Sequence, residues 1–189
     1  MKIKNKYRFY IIISLIILTL FNLILFSKRI KNTEHNKREH YKQIAAKFNG
    51  VEFPIIKIKN LISDEIIDTK VSKGFIILLS NAGCNPCQIR ELKNLEKLYK
   101  QYSDKLTVYS IYFANYERME ALRLKKVSSI SFSIFYTDEE IKDTLFLTKP
   151  FPKIFFISDQ KILSTLIPIP EDDLFSTKFF DNISAKYLW

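Results

Sequence analysis

Residues 74–87 read GFIILLSNAGCNPC: five consecutive large apolar residues, a short small-residue turn, and two cysteines three positions apart. The run at 75–79 is too short for a typical helix and has no polar alternation, so it reads as a strand buried on both faces. Downstream, Ile89, Leu92, Leu95, Leu98, Tyr99 and Tyr102 recur at helical spacing, which predicts an amphipathic helix opening at the cysteines. Cys84 then stands at a helix start, facing unpaired backbone N–H groups and the positive end of the helix dipole, both of which favour a thiolate. Pro86 fits a first helical turn, where its missing N–H costs nothing.

Strand, C-x-x-C and helix in this order point to thiol–disulfide exchange. Cys84 is the expected nucleophile and Cys87 the resolving thiol, the two forming a redox-active disulfide. Three other uses of the pair weigh less. A zinc site needs about four ligands, and the only histidines, His35 and His40, lie in a charged segment far upstream. A purely structural disulfide closing so short a loop adds little chain-entropy stabilisation. Copper delivery calls for a nearby histidine, and residues 51–189 contain none. No metal and no cofactor are expected.

Working outward, residues 53–58 and 66–67 suit a strand pair at a sheet edge. Strands are expected at 106–113, 130–136, 154–157 and 162–167, the last two forming a hairpin around Ser158-Asp159-Gln160. Short helices are expected at 117–126 and at 139–146, the second capped by Asp138, and a final helix over roughly 171–188. Alternating strands and helices with a terminal hairpin predict an α/β domain with a central mixed sheet over residues 50–189.

The formal charge of +10 is unevenly spread. Residues 1–50 hold eleven Lys or Arg against two Glu, whereas residues 51–189 hold 19 against 18. A near-neutral domain argues against nucleic acid as a partner, since that binding needs clustered cations on the folded surface. The basic residues instead flank FYIIISLIILTLFNLILFS, nineteen uncharged residues at 9–27. A helix of that length approaches the thickness of a bilayer core. The parts are then a basic flank (1–8), a transmembrane anchor contacting lipid (9–27), a charged juxtamembrane stalk (28–49) and the domain. A cleaved signal peptide is disfavoured because Ser27-Lys28-Arg29 makes a poor cleavage site. Four basic residues precede the anchor and seven follow it, a count that favours a cytoplasmic domain and conflicts with the placement below.

Residues 75–87, the stretch FSIFYTD at 132–138 and FPKIFFISD at 151–159 together resemble the thioredoxin superfamily, and within it the membrane-anchored TlpA-like thiol–disulfide oxidoreductases of the bacterial envelope. The resemblance implies a thioredoxin-like fold, a cis peptide bond before Pro152, and substrate backbone docking at Phe151 and Pro152. It also implies an extracytoplasmic (periplasmic-side) domain, a reductase of protein disulfides, and a membrane-embedded electron donor. Gly83 replaces the aromatic residue usual before the first cysteine, and Leu92 replaces a helix proline. Residues 75–79 lack the family's buried acid, Lys153 follows Pro152 where a small or hydroxyl residue is common, and the hairpin turn has no glycine. Lys153 reads either as a solvated side chain or as a cation that favours the Cys84 thiolate. The missing aromatic and acid motivate an alternative, a redox-inactive adaptor that binds a partner protein at the membrane. A peroxidase would want a proline in 80–83, where the sequence is SNAG.

Overall fold

A computed structural model of the chain describes residues 2–113, 118–137 and 144–188, with side chains described from Ser14 onward except those of residues 144 and 145. It divides into two compact units, residues 1–40 and 41–189. The described residues of the first, 2–40, lie within helix α1 (Lys2–Ala46). Of the predicted anchor, only the side chains from Ser14 onward are described. Among the described residues no helix is long and apolar enough to cross a membrane.

The second unit is built on a seven-stranded mixed sheet. Its strands in chain order are β1 (Lys57–Asn60), β2 (Ile66–Asp68), β3 (Lys73–Ser80), β4 (Thr107–Phe113), β5 (Ile134–Tyr136), β6 (Lys153–Ser158) and β7 (Lys161–Leu166). They lie in the order β2-β1-β5-β4-β3-β6-β7. The pairs β3–β4 and β4–β5 are parallel and the rest antiparallel. The strand predicted to be buried on both faces is β3, an interior strand of the sheet, with residues 75–79 fully buried. At its start Gly74 is pressed against β4, where a Cβ would lie 2.1 Å from the Thr107 carbonyl oxygen.

Helices α2 (Asn85–Tyr102), α3 (Arg118–Ser128) and α5 (Asp173–Ile183) pack on one face. There Leu92, Leu95, Leu124 and Phe180 meet Phe75, Ile77 and Phe156. A π-helical turn, Ser184–Leu188, extends α5. The opposite face is covered by the end of α1, loops and the short α4 (Thr144–Leu147). Phe48, Phe53, Phe146 and Phe155 form an aromatic cluster there, with ring centroids 5.2 to 5.9 Å apart, next to Ile76 and Leu78.

Several expectations are corrected. Residues 41–49, read as stalk, contribute Tyr41, Ile44, Ala45 and Phe48 to this second cluster, so the folded unit starts earlier than position 50. The first strand begins at Lys57 rather than 53. Phe53 and Ile56 are buried from irregular backbone, with Phe53 N–H bonded to the Gln160 carbonyl at 2.9 Å. The hairpin turn needs no glycine because Asp159 (φ 49°) and Gln160 (φ 67°) themselves adopt the left-handed region. That conformation disfavours side chains. Here the Gln160 side chain offsets the cost with bonds to Phe53 O, Thr69 O and Val71 N–H at 2.6 to 3.2 Å. The Asp138 cap and residues 139–143 of its helix lie outside the described residues, as does Glu117.

Candidate active site

Strand β3 ends at Ser80, and Asn81, Ala82 and Gly83 carry the chain to α2. Cys84 occupies the N-cap in an extended conformation. Its Sγ accepts the Cys87 N–H at 3.3 Å, using one of the N–H groups a helix start leaves open. Cys84 and Cys87 are joined as a disulfide, with Cα atoms 5.2 Å apart. Cys84 is half-buried and Cys87 buried. The first sulfur is therefore the one a second molecule can reach.

Gln88, which the sequence reading passes over, locks this turn. Its Oε1 accepts from Ser80 N–H at 3.0 Å, and its Nε2 donates to Ser80 O at 3.0 Å and to Asn85 Oδ1 at 3.2 Å. The end of β3 and the start of α2 are thus tied by one buried amide. Glu91, also missed, is fully buried. It accepts from Arg90 Nε at 2.6 Å, Ser176 Oγ at 2.7 Å and Asn94 Nδ2 at 3.1 Å. Arg90 reaches on to Asp173 at 2.6 Å, so the network fastens α2 to α5. A signal existed: 88, 91, 95 and 98 follow the three–four spacing of the buried stripe, and two of those positions are polar. Further along α2, burial opposes ionisation of Glu96. Hydrogen bonds from Ser131 and the ammonium of Lys100 outweigh it and hold this carboxyl below its usual range.

The other half of the site is residues 148–152. The Lys149–Pro150 and Phe151–Pro152 peptide bonds are both cis. Cys84 N–H donates to the Phe151 carbonyl at 3.3 Å, which sets the proline loop directly beside the first cysteine. Gly83 has a steric reason to replace an aromatic. A Cβ there would lie 3.0 Å from Phe151 Cβ, 3.0 Å from Ser80 O and 3.2 Å from Gln88 Nε2.

The four predicted site residues are therefore brought together: Cys84 and Cys87 by the disulfide, Phe151 by its bond to Cys84, and Pro152 as the next residue. Lys153 is not a solvated side chain. It is fully buried, its Nζ donating to the carbonyls of Phe146 (2.9 Å) and Thr148 and lying 4.1 Å from the Phe151 ring centroid. Burial lowers its pKa to about 8.

The C-x-x-C disulfide lies at a helix start between the parallel strands β3 and β4, beside a cis-proline that precedes the antiparallel strand β6. The fold is thioredoxin-like. Solved structures agree. The thioredoxin domain of a thiol-disulfide oxidoreductase from Bacteroides vulgatus superposes with a TM-score of 0.54 at 20% identity, covering 70% of this chain and 97% of that one. A thiol:disulfide interchange protein from a Bacteroides species gives 0.54 at 20% identity, covering 70% and 90%. A thiol-disulfide oxidoreductase from Bacteroides fragilis gives 0.51 at 14%, covering 69% and 98%. No protein-family model matches the sequence, and no curated protein does. The thioredoxin-like domain carries its disulfide where the fold places the first turn of α2.

Proposed function

We propose that the protein is a thiol–disulfide oxidoreductase acting on protein cysteines. The observation that carries this reading is the disulfide at the start of α2, with the half-buried Cys84 beside the Phe151–Pro152 backbone and Cys87 buried behind it. In the reducing direction, the Cys84 thiolate attacks a substrate disulfide, forming a mixed disulfide and releasing one substrate thiolate. The Cys87 thiolate then attacks Cys84 Sγ, releasing the second and forming the Cys84–Cys87 bond. Two electrons pass to the substrate, and a dithiol donor must return the pair to its reduced form. Phe151 and Pro152 serve as the docking edge for an extended substrate chain, the role the family resemblance suggests.

The proposed setting is a membrane surface, with the domain on the extracytoplasmic side, working as a reductase fed by a membrane-embedded donor. The uncharged run 9–27 with basic flanks supports the tether. So does the exposure of large apolar side chains such as Leu18, Phe21, Leu23 and Phe26 along α1, a patch of the kind that marks lipid or partner contact.

Cys87→Ala in the full-length protein tests the exchange step: covalent adducts at Cys84, cleared by dithiothreitol, are expected from native membranes. Their absence counts against exchange. Function retained by the Cys84→Ser/Cys87→Ser double variant, and lost with the domain, assigns an adaptor role instead. Titration of the pair in glutathione buffers reads the direction: a potential near −270 mV, as in thioredoxin, supports a reductase and one near −120 mV an oxidant.

A further inference from the structure

We propose that Lys153 is a positioning residue of the exchange site, its buried ammonium holding residues 146–151 so that the Phe151–Pro152 backbone faces Cys84. The proposal rests on the redox reading above. It deepens that reading by assigning the docking edge its own support.

The segment before β6 has an unusual shortage of donors. Pro150 and Pro152 have no N–H, and residues 148–152 lie outside any strand. Carbonyls in such a segment still need partners once buried. The Lys153 ammonium supplies them, donating to Phe146 O and Thr148 O, while its charge lies over the Phe151 ring at 4.1 Å and faces the Phe48 ring at 5.8 Å. One side chain thus grips the segment at 146, 148 and 151. Residue 151 is the one whose carbonyl accepts the Cys84 N–H.

The ammonium's partners among the described residues are two carbonyls and two rings, with no carboxylate. An unpaired buried charge is costly. A methionine would fill the space without that cost but could donate nothing. The register also separates Lys153 from the helix that carries the thiols. It lies opposite Leu78 on β3, among residues of the aromatic face, whereas α2 packs on the other face. Support of the loop, rather than direct action on sulfur, is the role this placement fits.

The test compares two disulfides with the full-length protein in detergent. Insulin must lie along the docking edge, whereas 5,5′-dithiobis-(2-nitrobenzoate) is too small to need it. Lys153→Met is expected to raise KM for insulin about tenfold, leaving its kcat and the small-disulfide rate within about twofold. Lys153→Gln, which keeps one donor, is expected to fall between. The ultraviolet thiolate titration of Cys84 is expected to be unchanged in both. Equal losses on both substrates, or a shifted thiolate titration, would overturn the proposal in favour of a direct effect on Cys84. Unchanged kinetics, or failure of both variants to fold, would reduce Lys153 to a core residue. A wild-type protein inactive on both disulfides would sink the redox reading itself, and this inference with it.

Discussion

The two halves of the candidate site are held by opposite means. The cysteine half sits on regular structure, a central strand and a long helix joined by a three-residue turn and tied by the Gln88 amide. The proline half sits on irregular backbone with two cis bonds, held by the charged group of Lys153. Neutral, geometrically fixed bonds therefore place the thiols, and a buried cation places the edge beside them. Two close contacts join the halves: the Cys84 N–H to Phe151 O bond, and Gly83 against Phe151.

The largest expected effect separates the halves by chemistry. Cys84→Ser should abolish exchange with every disulfide tested, because no thiolate remains to attack. It should leave the Phe151–Pro152 edge intact, so a non-reducible peptide that binds the wild type should still bind. Loss of peptide binding as well would show that the halves cannot be treated apart.

Gln88→Leu should come next, at about 3 kcal/mol of stability, since it removes both bonds to the buried end of β3 and leaves the Ser80 N–H unpaired, while the Ser80 carbonyl keeps the Gly83 N–H. Urea unfolding of the oxidised protein measures it. A loss below about 1 kcal/mol would mean that the turn is held by the disulfide rather than by the amide.

The cysteine half was readable because its cues are local. An apolar run, a C-x-x-C and a helical period fall within thirty residues, and each constrains backbone directly. Gln88 and Glu91 escaped because the reading followed apolar residues only, although both lie on the buried stripe. The proline half was readable only at Phe151 and Pro152, through the family resemblance. Lysine at the head of a strand looks like a solvent residue, and its burial depends on Phe48, more than a hundred positions upstream. Phe48 was itself misplaced, since the charges of residues 37–42 masked the helical spacing of Tyr41, Ile44, Ala45 and Phe48. The proposed membrane anchoring rests on the uncharged run 9–27 with its basic flanks and on the exposed apolar side chains of α1.

The proline half has its own signature in pH. The pKa of Lys153 is lowered by burial from 10.5 to about 8, so the folded protein releases this proton before the unfolded chain does. Between about pH 8 and 10.5 the unfolded state binds more protons, and stability rises with pH across that window. Below it the buried charge costs stability in full. The difference in unfolding free energy between the wild type and Lys153→Met should therefore shift in favour of the wild type by at most about 3 kcal/mol across the window. A difference that stays flat would mean that the carbonyls and rings already compensate the charge.

The smallest effect probes the seam. Gly83→Ala places a methyl 3.0 Å from Phe151 Cβ and from Ser80 O, with Gln88 Nε2 at 3.2 Å. A few tenths of an ångström of movement relieves this, so the cost should be about 1 kcal/mol, typical of mild overpacking. The direction of movement is the informative part. The Ser80 side is clamped by Gln88, whereas the Phe151 side rests on a loop, so the loop should yield. The Cys84 N–H to Phe151 O bond should then lengthen, visible as faster amide exchange at Cys84 with the Gln88 side-chain amide unchanged. Restoring the aromatic residue common at this position, by Gly83→Trp, should be worse than alanine rather than better. The crowding starts at the first side-chain atom, since a Cβ there already lies 3.0 Å from Phe151 Cβ. If tryptophan is tolerated, the proline half is looser than its buried lysine implies, and the contrast between the halves weakens from a difference in kind to one of degree.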